Sequence, residues 1–95
     1  MSVLECLKDV RRIIEHGWCQ GGYHIDNDYC LVGAIQAASK NNLITWGDVT
    51  NLVCEKVGHH PGAIPEWNDA PERTKEDVLV LLDELIGEVS PCPSE

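Results

Sequence analysis

Cys30, His24 and His59 are the residues of this chain whose types could carry out covalent chemistry. A thiol becomes nucleophilic when a histidine takes its proton or a helix N-terminus stabilises the thiolate. Cys30 opens the apolar stretch "CLVGAIQAASK", which places it in the first turn of a helix, and Asp26 or Asp69 could orient an imidazole beside it. That arrangement would suit a thiol-dependent hydrolase or transferase. The simpler reading of Cys30 is a small sulfur packed beneath a loop, the commonest use of a free cysteine. Cys19, His24 and Cys30, joined by His59, His60 or Cys54, also offer zinc-ligand types, but the spacing C-x4-H-x5-C fits none of the usual zinc patterns. No metal and no cofactor is expected, and the sequence holds no P-loop, dinucleotide fingerprint, Gly-x-Ser-x-Gly elbow or His-Glu-x-x-His helix.

A second set of residues suits binding. On a helix drawn at about 100° per residue, Glu76, Asp77, Asp83, Glu84 and Glu88 project within an arc of roughly 140°, with Val80 in its middle. Clustered carboxylates speed encounter with a basic partner, and an apolar residue at their centre can seat in a pocket. The plainer account is a solvated acidic face with one exposed valine. The formal net charge is −9, and residues 66–95 hold nine acidic side chains against Arg73 and Lys75, a net of −7. Such a surface repels a phosphate backbone, and Lys8, Arg11 and Arg12 form the only basic cluster, so direct nucleic-acid binding is not expected. The expected partner is a basic protein surface, and self-association into a homodimer stays open.

The elements that must position these residues read as helices. Ser2 and Glu5 form an S-x-x-E capping box, after which Val3, Cys6, Leu7, Val10, Ile13 and Ile14 share one face, and Gly17 supplies a left-handed stop after His16. Residues 18–29 form an irregular loop or a short hairpin. Asp28 caps a second helix whose face is Leu31, Ala34, Ile35 and Ala38, with Gly33 allowing close approach and Asn41 and Asn42 ending it. Thr45 and Asp48 cap a third helix carrying Val49, Leu52, Val53 and Val57, which stops at Gly58. Pro61, Pro65 and Pro71 keep residues 59–72 out of helix, and Thr74 with Asp77 then starts a last helix that buries Val78, Leu81, Leu82 and Leu85. The fold class is therefore mainly α: one compact domain of about four helices over residues 1–89, with a long loop before the last helix and a flexible tail at 90–95.

Ninety-five residues suffice for one modest core, and no apolar run nears the roughly 18 residues that span a bilayer. Acidic and basic groups interrupt the first residues, unlike a secretory signal, and five irregularly spaced cysteines without a CxxC pair suit a reducing compartment. A cytoplasmic location follows as an expectation, with most of the cysteines serving as core filler.

Three segments, "HGWCQGG" (16–22), "CLVGAIQAA" (30–38) and "IPEWNDAPERTKEDVLVLLDELI" (64–86), resemble an actinobacterial and phage-associated family of small domains of unknown function, over about two fifths of the chain. The shared pattern is Gly-Trp-x-Gln-Gly, Cys-x-x-Gly-Ala and Trp-Asn-Asp-x-Pro-x-Arg-Thr. Residue by residue, the resemblance marks Trp18, Gln20, Gly21, Cys30, Gly33, Ala34, Trp67, Asn68, Asp69, Pro71, Arg73 and Thr74. It implies a fold and a mobile-element origin, and it supplies no activity. Two functions are then open. One is a small acidic interaction protein, phage-borne, that occupies a basic surface of a host nucleic-acid-binding or CRISPR- or restriction-type defence protein. The other is the thiol enzyme at Cys30. The acidic face needs no convergence of distant groups, which favours the first.

Overall fold

In the computed structural model, which describes residues 2–22, 24–40, 42–58 and 62–89, helix α1 (Val3–His16) is the element against which the others are assembled. Its capping box forms as the sequence requires: Glu5 N donates to Ser2 Oγ at 3.1 Å and Ser2 N to Glu5 Oε1 at 3.2 Å. Cys6, Leu7, Val10 and Ile14 lie on the buried face of α1. Helices α2 (Leu31–Ser39) and α5 (Lys75–Val89) pack along it, α3 (Leu43–Val57) rests on α1 and α2, and α4 (Ala63–Asn68) joins α2 and α3. One apolar cluster runs through all five, including Leu31 and Ile35 of α2, Val49 and Val53 of α3, Ile64 of α4, and Val78, Leu82 and Leu85 of α5. Burying each such side chain contributes about 1.5–3 kcal/mol, so this core outweighs the surface ion pairs, typically worth about 0–1 kcal/mol each. Among the described residues no helix is long and apolar enough to cross a membrane.

Between α1 and α2 the chain makes a short antiparallel hairpin, β1 (His24–Ile25) and β2 (Asp28–Tyr29), with His24 facing Tyr29 and Ile25 facing Asp28. Asp26 turns it with φ 54°, a left-handed conformation that a short polar side chain tolerates. A parallel bridge ties the hairpin back to the exit of α1: Tyr29 N donates to Gly17 O at 3.0 Å, and Cys19 N donates to Tyr29 O at 3.1 Å.

Several boundaries differ from the sequence reading, each for a local reason. Gly17 ends α1 in an extended conformation, φ −177°, not a left-handed one. Its missing side chain makes room instead, since a Cβ there would lie 2.1 Å from Asp28 Oδ1. Asp28 therefore sits in β2, against Gly17, and Cys30 is the N-cap of α2, its sulfur accepting from Gly33 N at 3.3 Å. α3 starts two residues earlier than Thr45 because Asn42 Oδ1 takes Thr45 N at 3.0 Å, leaving Thr45 buried inside the helix.

The long connection before the last helix contains α4, despite Pro65. Pro65 is the third residue of that helix, within the first turn, where a backbone N–H has no intrahelical acceptor to lose. Thr74 and Asp77 do form the expected reciprocal cap of α5, at 3.2 and 3.1 Å. His59, His60, Pro61, Asn41 and the expected tail at 90–95 lie outside the described residues.

Gly17→Ala is expected to lower stability by about 1–2 kcal/mol through the forced displacement of the Asp28 carboxylate, and Gly17→Ala/Asp28→Ala to recover most of it. Denaturant unfolding of the two single variants and the double variant checks this; strictly additive losses would show that the two positions do not collide.

Candidate functional site

Several of the residues singled out by motif meet at one buried amide. Asn68, at the end of α4, is 0% exposed. Its Oδ1 accepts from Trp18 Nε1 at 2.8 Å and from Leu31 N at 3.0 Å, while its Nδ2 donates to Cys19 O at 3.1 Å and to Asp69 Oδ1 at 3.0 Å. Two acceptor and two donor positions are thus all filled. Gln20 Nε2 adds bonds to Asn68 O and Ala70 O, both at 2.9 Å, and Gly21 N donates to Asp69 Oδ1 at 3.1 Å. The Trp18-x-Gln20-Gly21 and Trp67-Asn68-Asp69 segments therefore hold each other. Arg73 completes the second segment: its Nε donates to Trp67 O at 2.8 Å and its guanidinium lies 4.1 Å over the Trp67 ring.

This clasp frames a shallow cleft of about 340 Å³, lined by Gly21, Gly22, Cys30, Pro65 and Asp69. Cys30 is 4% exposed, and burial pushes its thiol up, an effect only partly offset by the N–H groups of Gly33 and Val32 that point at the sulfur. The thiolate that catalysis needs is thus disfavoured, although the cysteine stands at a helix N-terminus. His24, on the exposed hairpin, stacks on Tyr29 with ring centroids 4.1 Å apart. His59 lies outside the described residues. Asp69 does border the cleft, but its Oδ1 already accepts from Gly21 and Asn68. Among the described residues no three His, Cys, Asp or Glu side chains converge as a metal-ligand set.

The acidic side chains of α5 project outward, and Val80 between them is 54% exposed. Three of the carboxylates have internal partners. Asp83 binds Arg11 through both oxygens, at 2.6 and 3.3 Å; Glu88 pairs with Lys56; and Asp77, which caps Thr74, lies 3.9 Å from Arg73. Val80 borders a second cleft of about 300 Å³, with Trp67, Leu81, Arg73, Lys56, Asp77 and Glu84 around it.

A model of one protein family, described as a family of unknown function (DUF6197), matches residues 1–88. The chain belongs to that family. The DUF6197 match spans α1 through nearly all of α5, so it includes the Asn68 clasp, the Cys30 cleft and the acidic face alike. No curated protein and no solved structure matches the chain.

Two features escaped the sequence reading. Leu43 and Ile44, 80% and 78% exposed, begin α3 beside a groove lined by Gln36, Ser39, Asn42 and Trp46. A cap at Thr45 would leave both in a loop, whereas the Asn42 cap places both on the helix. The reach of Asn68 has no local signal either: its partners Trp18 and Cys19 lie 50 and 49 residues away.

Asn68→Ala strands Trp18 Nε1, Leu31 N and Cys19 O, and is expected to cost about 3 kcal/mol or more in denaturant unfolding. A loss under about 1 kcal/mol would mean water replaces the amide without penalty. Burial raises the thiols of Cys6, Cys19 and Cys30 above the ordinary value of 9.0, so the folded state holds their protons more tightly than the unfolded chain does. Stability is therefore expected to be unaffected by these groups below pH 9 and to fall as pH rises beyond it. Unfolding midpoints measured across that range check the sign.

Proposed function

We propose that this protein is a non-enzymatic interaction module that presents the outer face of α5 to a basic surface of another protein. The observation that carries the reading is Val80, more than half exposed and flanked by Glu76, Asp77, Asp83, Glu84 and Glu88, at the edge of the Trp67–Leu81 cleft. An apolar centre ringed by polar groups is the usual anatomy of a contact surface. The pairings of Asp83 with Arg11 and Glu88 with Lys56 reduce the charge of the face but are half-exposed, and such pairs exchange partners at little cost. Arg11 and Arg12, two thirds of the basic cluster, are taken up by Asp83, Glu15 and Asp9, which further disfavours a phosphate backbone as the ligand. The partner class is a host protein whose basic surface ordinarily holds nucleic acid, including defence complexes of the CRISPR or restriction type, and the carrier is a phage or another mobile element.

Thiol catalysis at Cys30 ranks second. The cleft beside the sulfur favours it, while the raised thiol and the use of the sulfur as a helix cap weigh against it.

Affinity capture from host lysate at low and high salt, with wild type and Val80→Glu side by side, tests the reading. A partner retained at low salt by wild type should be lost at high salt and bind Val80→Glu about 30-fold more weakly, as expected for a loss of about 2 kcal/mol at a contact centre, while the thermal midpoint stays nearly unchanged. Equal retention by the variant would remove α5 from the interface.

A further inference from the structure

Cys19 and Cys30 each follow one member of the parallel bridge between Trp18 and Tyr29, on the same side of it. The bridge is isolated and is held by Tyr29 N to Gly17 O and by Cys19 N to Tyr29 O, so Cys19 and Cys30 are the residues that directly follow the bridged pair on the two segments. Facing residues on neighbouring parallel strands lie about 4.8 Å apart and project to the same side, within the roughly 4.4–6.8 Å between Cα atoms that a disulfide accepts. Asn68 braces both backbones at once, through Cys19 O and through Leu31 N, the residue after Cys30. Cys30 lines the cleft, and Cys19 Sγ donates to the carbonyl of Gly22, a lining residue, at 3.5 Å.

We infer that Cys19 and Cys30 form a reversible disulfide, making the floor of this cleft a thiol modification site. The oxidant is a small disulfide of the glutathione class. The half-exposed Cys19, as thiolate, attacks one sulfur of that molecule, breaking its S–S bond and releasing one glutathione thiolate, which takes a proton from water. Cys30 then loses its proton to solvent and attacks the Cys19 sulfur, expelling the second glutathione. The protein dithiol is oxidised by two electrons, and the small disulfide is reduced to two thiols.

Burial is the main cause that raises both thiols; Cys30 adds to it at Cys19, and the Asp69 carboxylate adds to it at both. Exchange is therefore slow at neutral pH and quickens toward the alkaline side, which gives the pair a threshold against casual oxidation. Once formed, the bond closes a ring over residues 19–30, pins the β1–β2 hairpin to the start of α2 and replaces the free Cys30 thiol under the Gly33 N–H.

The test treats the full chain with glutathione disulfide under native conditions and again in denaturant, traps remaining thiols with an alkylating agent, and maps the peptides. In the native protein the free-thiol count should fall from five to three, with Cys19 linked to Cys30 and the link removed by dithiothreitol. In denaturant the links should scatter among the five cysteines. Cys19→Ser should retain all four of its remaining thiols under the same native treatment. A stable glutathione adduct on Cys19 with Cys30 still free, or a native link to Cys54 or Cys92 instead, would overturn the inference, as would the same spread of links with and without denaturant.

Discussion

A buried primary amide has four hydrogen-bonding positions to fill, and in Asn68 all four are filled by protein: two by Trp18 and Leu31, two by Cys19 and Asp69. Few other side chains could do this. Aspartate would set a second oxygen against Cys19 O and Asp69 Oδ1, serine would reach too few partners, and an aliphatic residue would leave three stranded polar groups in the core. The exit of α1, the cap of α2 and the end of α4 are consequently fixed relative to one another by a single side chain, and the hairpin, the Cys30 cleft and the course toward α5 all inherit their placement from it.

Apolar packing supplies the bulk of the stability, and the polar contacts decide the geometry. α1 sits between α2 and α5 because its Cys6, Leu7, Val10 and Ile14 face is buried by both. Arg11 to Asp83, and Lys75 Nζ to Glu15 O at 3.0 Å, then fix the sliding register of α5 along α1. Arg73 does the same between α4 and α5 by holding Trp67 O while stacking on its ring. The acidic side of α5 thus faces outward in a defined orientation, with its valine set beside an aromatic residue, although part of its negative charge is already balanced by α1 and α3.

What could be read from sequence was what neighbours in sequence determine. Ser2 with Glu5 and Thr74 with Asp77 satisfy each other across three residues, so their helix starts were legible. The apolar period of α1 was equally plain. Competing local patterns were not resolvable: Asn42 and Thr45 both resemble caps, and the three-dimensional burial of Thr45 decides between them. Pro65 reads as a breaker because its position within a helix cannot be judged until the helix start is known. Gly17 reads as a left-handed stop because the carboxylate that needs its missing Cβ comes eleven residues later. For the candidate site, Trp18, Gln20, Asn68 and Asp69 stand out by motif, but that they form one clasp depends on contacts between distant segments.

The same clasp imposes an order on how the chain can be completed as it is made. Trp18 Nε1, Cys19 O and the N–H of Leu31 all precede their partner by 37 residues or more. While a ribosome is still adding the middle of the chain, α1 can form by its own cap, the hairpin can tie back to Gly17 and α2 can pack along α1, but the amide that fills the three polar groups is still missing, and closing so long a loop is entropically costly. These three groups therefore keep water as their partner until residue 68 is available, and the clasp closes only after α4 has been made.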